Sequence, residues 1–321
     1  MNRRRFLIAL AVVIPLAIFV AAKIAASWRP VMLMHFDSGP YDDLKIQASE
    51  QMVAVSDTQF NLQTEHKEKL HDRMSAVGAW TWNWVGGAKP HLLLRDGTQA
   101  ARSYPLPGVG DEEEWYQVEP LMRFSPATDR VELLFNGNYY RWQARSRRLQ
   151  RHIQLADVDS RLAGFTRMIA LTRDGETVVF AGTTAIREIS TRTGRTLRRV
   201  PLRGVEFFET IRVSPFGRYA LYETPGQKTY FEQIVVDTRS GRALWKLKMG
   251  SNGTDAVFSP DQTVIAVPLA KSKLWEIRDL RTGQLLRTLP FVPNTQSGAF
   301  SPDGDTLYSV ANGVLYCQRA R

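Results

Sequence analysis

The chain has 321 residues, 44% hydrophobic and 10% aromatic, which is ample for a large core. Its net charge of +10 is unevenly placed: residues 1–29 hold five bases and no acid, and the remaining 37 bases face 32 acids. That mild balance, without a basic motif interleaved with aromatics, excludes a nucleic-acid binder, and a single cysteine, Cys317, excludes intrachain disulfides and Cys-based zinc sites. Cys317 itself reads as a small buried hydrophobe.

Arg3, Arg4 and Arg5 precede an unbroken apolar run over residues 6–22, followed by Lys23 and Trp28. Extended to Trp28, with Lys23 snorkelling, a helix would reach about 34 Å at ~1.5 Å per residue, enough to cross a bilayer. The expectation is an N-terminal cytoplasmic tip and transmembrane signal-anchor over residues 1–29, in the membrane through residues 6–28. A signal cleaved after Ala22 or Ala26 is the alternative. The arginines place the N-terminus in the cytoplasm, so residues 30–321 form an extracytoplasmic domain. In a Gram-negative source this is an inner-membrane protein with a periplasmic domain. Arg3-Arg4-Arg5-Phe6-Leu7 also resembles the twin-arginine export pattern.

Beyond residue 30 the chain repeats itself. One turn signature recurs as Ser125-Pro126, Thr172-Arg173-Asp174-Gly175, Ser214-Pro215-Phe216-Gly217, Ser259-Pro260-Asp261 and Ser301-Pro302-Asp303-Gly304, at spacings of 47, 42, 45 and 42 residues. Proline presets φ, aspartate caps the turn and glycine takes the left-handed site. A β-branched or aromatic run follows each turn, as at 177–180 and 264–267. A second signature closes a third strand: Thr191-Arg192-Thr193-Gly194, Asp237-Thr238-Arg239-Ser240-Gly241 and Asp279-Leu280-Arg281-Thr282-Gly283. A fourth strand follows it. Four antiparallel strands every 40–45 residues make one blade of a propeller.

Asp279-Leu280-Arg281-Thr282-Gly283-Gln284-Leu285-Leu286 and Phe300-Ser301-Pro302-Asp303-Gly304 resemble WD40-like and YVTN-type β-propeller repeats. The resemblance is clear over residues 120–321 and weak over 40–119. It departs from eukaryotic WD40 repeats, because Val236 and Arg278 stand where Trp is usual and no Gly-His pair opens a blade. The partner rules of that family therefore do not carry over. The fold class expected is all-β, a β-propeller of four-stranded blades behind one N-terminal transmembrane helix. Ser49 to Ser301 spans 252 residues, six steps of 42, which favours seven blades. The short gap from Ser49 to Ser75 keeps six as the alternative. The last blade ends after its third strand, so the run from Val31 to Phe36 is expected to supply the missing outer strand.

No hydrolase, protease, phosphate-loop or dinucleotide motif is present, and the five histidines lack ligand spacing. No catalytic residue, metal ligand or cofactor is expected. Three features stand out as candidate binding elements. Asp111-Glu112-Glu113-Glu114 precedes Trp115 and Tyr116 in a long loop. Arg141, Arg145, Arg147, Arg148 and Arg151 cluster where a second turn belongs, and Arg192, Arg195, Arg198 and Arg199 hold the equivalent place one blade on. They read either as an exposed edge guarded by charge or as a patch for an anionic partner. Arg203, Phe207 and Phe208 lie in a connection between blades, and the two phenylalanines fit a core equally well. The leading function is a non-catalytic interaction scaffold for protein partners in the cell envelope, with a possible anionic surface contact. The alternatives are a propeller enzyme, such as a quinoprotein-like dehydrogenase or lactonase, and a sensor of a small anion using Arg123, Arg167 and Arg212.

Overall fold

The computed structural model describes residues 31–35, 46–48, 52–55, 58–61, 67–69, 75–77, 80–85, 91–96, 102–107, 121–125, 128–135, 137–155, 158, 167–205, 210–225, 230–250, 255–269, 272–312 and 314–321. They form seven four-stranded antiparallel sheets. Strands are lettered a to d from the axis outward.

Blade one comprises Ile46–Ala48, Met52–Val55, Thr58–Asn61 and Lys67–Lys69. Its strands are three or four residues long, which accounts for the short gap before Ser75. Blade two comprises Ser75–Val77, Trp80–Val85, His91–Asp96 and Arg102–Pro105. Blade three comprises Leu121–Ser125, Arg130–Phe135, Asn138–Gln143 and Leu149–Gln154. Blade four comprises Ile169–Leu171, Thr177–Ala181, Ala185–Ser190 and Thr196–Pro201. Blade five comprises Thr210–Val213, Tyr219–Pro225, Tyr230–Asp237 and Arg242–Gly250. Blade six comprises Val257–Phe258, Val264–Leu269, Leu274–Asp279 and Leu285–Pro290. Blade seven comprises Thr295–Phe300, Thr306–Ala311, Val314–Arg319 and, as its outer strand, Val31–His35. Side chains are described chiefly in five blades, three to seven, and the account below rests on those.

Val31 pairs with Cys317 and His35 with Val314, so the segment just after residue 30 completes the last blade, as the missing strand required. The a strand of blade one packs against that of blade seven, which closes the ring. One expectation is corrected. The described residues carry strands and turns, with no α-helix, and none of them forms a helix long and apolar enough to cross a membrane. The architecture is an all-β propeller, and the apolar span 6–28 lies outside the described residues. Cys317 is also only half-buried, with burial pushing its thiol pKa up.

Blades three, four and five hide their faces against one another. Leu134, Tyr139, Val179, Ile189, Ile211 and Tyr222 belong to one apolar cluster that runs through blades three, four and five. Turns at one end of the sheets lock the seams. The c–d turn glycines of blades four, five and six, Gly194, Gly241 and Gly283, each sit under the d strand of the blade before. At Gly283 (φ +72°) an added Cβ would lie 2.6 Å from Trp245 Cγ. The Trp245 indole N–H also donates to the Leu280 carbonyl (2.9 Å), fastening blade five to blade six.

The a–b turns show how the repeat tolerates divergence. The Ser259 hydroxyl donates to Asp261 Oδ1 (2.7 Å), and the Thr263 amide donates to the same oxygen (3.1 Å). Ser301 with Asp303, and Thr172 with Asp174, repeat the arrangement. Blade five has Phe216 where the aspartate belongs. There the Ser214 hydroxyl (2.7 Å) and the Arg218 amide (3.2 Å) both donate to Gln262 Oε1 of blade six. Gln262 stands at the glycine position of its own turn, with φ +60°, and that left-handed backbone aims its amide at blade five.

Two outcomes are expected. Deleting residues 31–36 exposes the outer edge of blade seven and should lower the thermal midpoint by about 10 °C or more, measured by calorimetry. An unchanged midpoint would refute this closure. Replacing Gln262 with Gly should destabilise the protein by about 1 kcal/mol in urea titrations, and adding Phe216→Asp should recover the loss.

Candidate functional site

Arg141 is not part of the rim. It is buried at the seam between blades three and four, with Glu132 and Tyr139. Its Nη1 donates to Glu176 Oε1 (2.9 Å), Nη2 to the Gly175 carbonyl (2.6 Å) and Nε to Tyr139 Oη (2.7 Å). Tyr139 donates in turn to Glu132 Oε1 (2.7 Å), and burial, reinforced by that carboxylate, drives the phenol pKa well above its ordinary value. Arg123 Nε reaches Glu132 Oε2 (2.8 Å) and its Nη1 reaches the Thr172 carbonyl (2.5 Å). Breaking one partner of such a cluster strands a buried charge, so its role is to join the blades.

Arg145, Arg147 and Arg148 are exposed, in the c–d turn of blade three. The Arg145 amide donates to Asp129 Oδ1 (3.1 Å) while its side chain projects into solvent. Arg147 adopts φ +59°, the conformation held by Gly194, Gly241 and Gly283 in the next three blades. Beyond the Asp237 and Asp279 that open two of the turns, the turns and d strands of these four blades, residues 144–154, 191–201, 238–250 and 280–290, contain 14 Lys and Arg and no Asp or Glu. Residues 30–321 outside this rim therefore hold 23 bases against 32 acids. Residues 30–321 are mildly basic, at +5, because a rim of +14 outweighs a body of −9. Among the rim bases, Arg151 pairs with Glu176 of that body, Arg198 with Glu188 and Lys246 with Glu232.

Arg203 lies in the connection after blade four. Its backbone bridges to Arg242, and its amide donates to the Gly241 carbonyl (2.9 Å). It is exposed beside the c–d turn of blade five, so it joins the rim. Trp115, Tyr116, Phe207 and Phe208 lie outside the described residues. The expected set therefore divides, with Arg145, Arg147, Arg148 and Arg203 on the basic rim and Arg141 in the interior.

The axis-facing arginines are already engaged. Arg167 Nη1 lies 3.3 Å from Asp255 Oδ2, and Arg212 pairs with the other oxygen of that carboxylate. Nearby, Thr210 donates to Glu223 Oε2 (2.5 Å) and Gln233 Nε2 to Glu223 Oε1 (2.6 Å). Carboxylates thus answer the cations that an anion sensor would need. Among the described residues, no group of three or more His, Cys, Asp or Glu is placed to hold a metal.

Two features escaped the sequence reading. One is the rim's continuation into blades five and six, through Arg239, Arg242, Lys246, Lys248, Arg281 and Arg287. The lack of acids in the d strands of blades three to six is the signal in the sequence. The other is Arg321, whose guanidinium clasps Asp261 in blade six at 2.8 and 2.9 Å. Only the fold brings residues 60 positions apart together.

No family model matches the chain, and no curated protein matches it. Solved structures do, 1305 chains of them. Hydrazine synthase of Kuenenia stuttgartiensis superposes with a TM-score of 0.55 at 15% identity, covering 89% of this chain and 99% of that one. The Cps50 (Swd1) β-propeller domain of Myceliophteria thermophila gives 0.56 at 15% identity, covering 91% and 100%. One neighbour carries an enzyme's name and the other a propeller domain's, so the likeness shows the β-propeller fold and leaves function to the residues.

The turn aspartates set an acid limit. Burial pushes the Asp261 carboxyl up, but hydrogen bonds from Arg321, Ser259 and Thr263 outweigh it and hold the pKa well below the usual range. Asp303 is likewise held down, chiefly by Ser301. Carboxylates depressed in the folded state stabilise it above their unfolded pKa of about 4 and lose that contribution as pH falls through the folded value. The thermal midpoint should therefore drop as pH is lowered from about 5 to about 2, and drop less steeply in Asp261→Asn, as followed by circular dichroism.

Proposed function

We propose that this chain is a non-catalytic β-propeller scaffold that holds an anionic protein partner against its outer rim. The observation that carries the reading is the charge separation: 14 bases along residues 144–154, 191–201, 238–250 and 280–290 of four successive blades, with no acid in those segments, on a body that is otherwise acidic. A like-signed field of that size raises encounter rates and selects partners by charge, and it falls off within a Debye length. Arg145, Arg147 and Arg148 would make the first contacts on blade three, and Arg203 with Arg242 those on blade five. The pairing of Arg167 and Arg212 with Asp255 weighs against the alternative of a small-anion sensor in the channel. The basic, then apolar, character of residues 1–29 supports a place outside the cytoplasm, in the cell envelope, for the propeller and its partner.

The test is crosslinking and co-purification of the full chain against Arg145→Glu/Arg147→Glu/Arg148→Glu. The variant should recover at least about tenfold less of any stoichiometric partner, and wild-type recovery should fall as salt rises from 50 to 300 mM or so. Equal recovery and equal salt dependence in both proteins would leave the rim as a solvated face and overturn the reading.

A further inference from the structure

Every d strand of blades three to six carries a β-bulge at the same place. Register shifts between Arg141 and Trp142, Glu188 and Ile189, Val235 and Val236, and Ile277 and Arg278 of the c strands leave one residue of the facing d strand without a partner. Those residues are Gln150, Leu197, Leu244 and Leu286. The three leucines are three of the four exposed large apolar residues described, at 64%, 37% and 54%; the fourth, Leu285 at 43%, adjoins Leu286 in blade six. In blade four, Leu197 stands between exposed Arg195 and Arg199, and in blade five Leu244 stands between exposed Arg242 and Lys246. Blade six has exposed Gln284 and Thr288 around its leucine, and blade three has the bases without the leucine.

A bulge has a structural use, since it twists an outer edge away from pairing with another strand. That use requires an extra residue but not an apolar one, as Gln150 shows. The repeated leucine within a ring of cations is the feature left over. We propose that the bulge leucines of blades four, five and six are successive subsites for one flexible, acidic segment of a partner protein, with an apolar side chain seated on each leucine and carboxylates on the flanking bases. This deepens the scaffold reading and rests on it.

Three constraints select that occupant. The bulges interrupt the edge, so the segment cannot add as a continuous strand and must bind through side chains. Blades of a closed seven-membered ring point about 50° apart, so the three leucines lie on a convex arc that a flat bilayer cannot touch together. A flexible chain can follow the arc. Finally, a fully charged polyanion would pair with the bases but gain nothing from the leucines.

The experiment uses the full chain and fluorescein-labelled synthetic peptides bearing one, two or three Glu-Asp-Phe-Glu blocks joined by Gly-Ser linkers, read by anisotropy at fixed salt. Linked subsites should tighten binding by about tenfold or more on adding the second block, and further on adding the third. The variant Leu197→Ser/Leu244→Ser/Leu286→Ser should bind the three-block peptide with roughly single-block affinity, Leu197 and Leu244 contributing more than Leu286. Unchanged affinity in that variant, with loss in Arg195→Glu/Arg242→Glu, would overturn the leucine subsites while leaving the basic-rim scaffold intact. Loss in neither would remove both. Leucine-dependent binding to phosphatidylglycerol vesicles without peptide binding would replace the partner by a membrane, and leucine-dependent self-association that the peptide fails to compete would replace it by a second copy. Either result overturns the proposal.

Discussion

A four-stranded blade has two apolar faces and cannot hide either one alone. It is stable only between two others, so this protein depends on its seams. The seams use different chemistry for the same end. Between blades three and four, a buried cluster of Arg123, Glu132, Tyr139 and Arg141 meets the carbonyls of Thr172 and Gly175. Between five and six, Trp245 covers Gly283 and Gln262 completes a neighbour's turn. Arg321 reaches from the last blade to Asp261. A ring of this kind tolerates drift in any one repeat because the adjoining repeat supplies the missing group.

The dependence on seams explains what could be read from the chain. Ser-Pro-Asp-Gly and Asp-x-x-Thr-Gly turns are local, since their Ser, Asp and Gly close hydrogen bonds within five positions, and their recurrence revealed the blades and the need for Val31–His35 as a final strand. Gln262, Arg141 and Arg321 act across blades. In sequence, Gln262 is a missing glycine, Arg141 is one of five neighbouring arginines, and Arg321 is a terminal residue. Arg141 was indistinguishable from Arg145 until the strand pairing put one side chain on the inter-blade face and the other beyond the turn. The position of Arg203 within its connection was likewise hidden, because a long-range backbone bridge to Arg242 decides it.

The outer rim also shows how one device can serve two ends. Charge and bulges on an exposed edge suppress strand-to-strand aggregation. The same features, repeated on successive blades, create a regular array whose members differ slightly: bases without leucine in blade three, both in four and five, leucine with few bases in six. Such a gradient gives a bound segment a direction as well as a location, since reversing it would pair its ends with unlike subsites.

The clasp of blade seven has a consequence for the life of the chain during synthesis. Val31 and Cys317 are 286 residues apart in sequence, yet they are adjacent strand partners. The first described strand waits for one made nearly three hundred residues later. Blades three to six can build their sheets from contiguous sequence as it emerges, but the circle cannot shut until the final strand exists. Closure is thus the step of highest contact order, and it comes at the end. Until then, an arc of finished blades carries an uncovered apolar face at each end and an unpaired strand on a leash, which is the stage at which two nascent chains are best placed to exchange that strand.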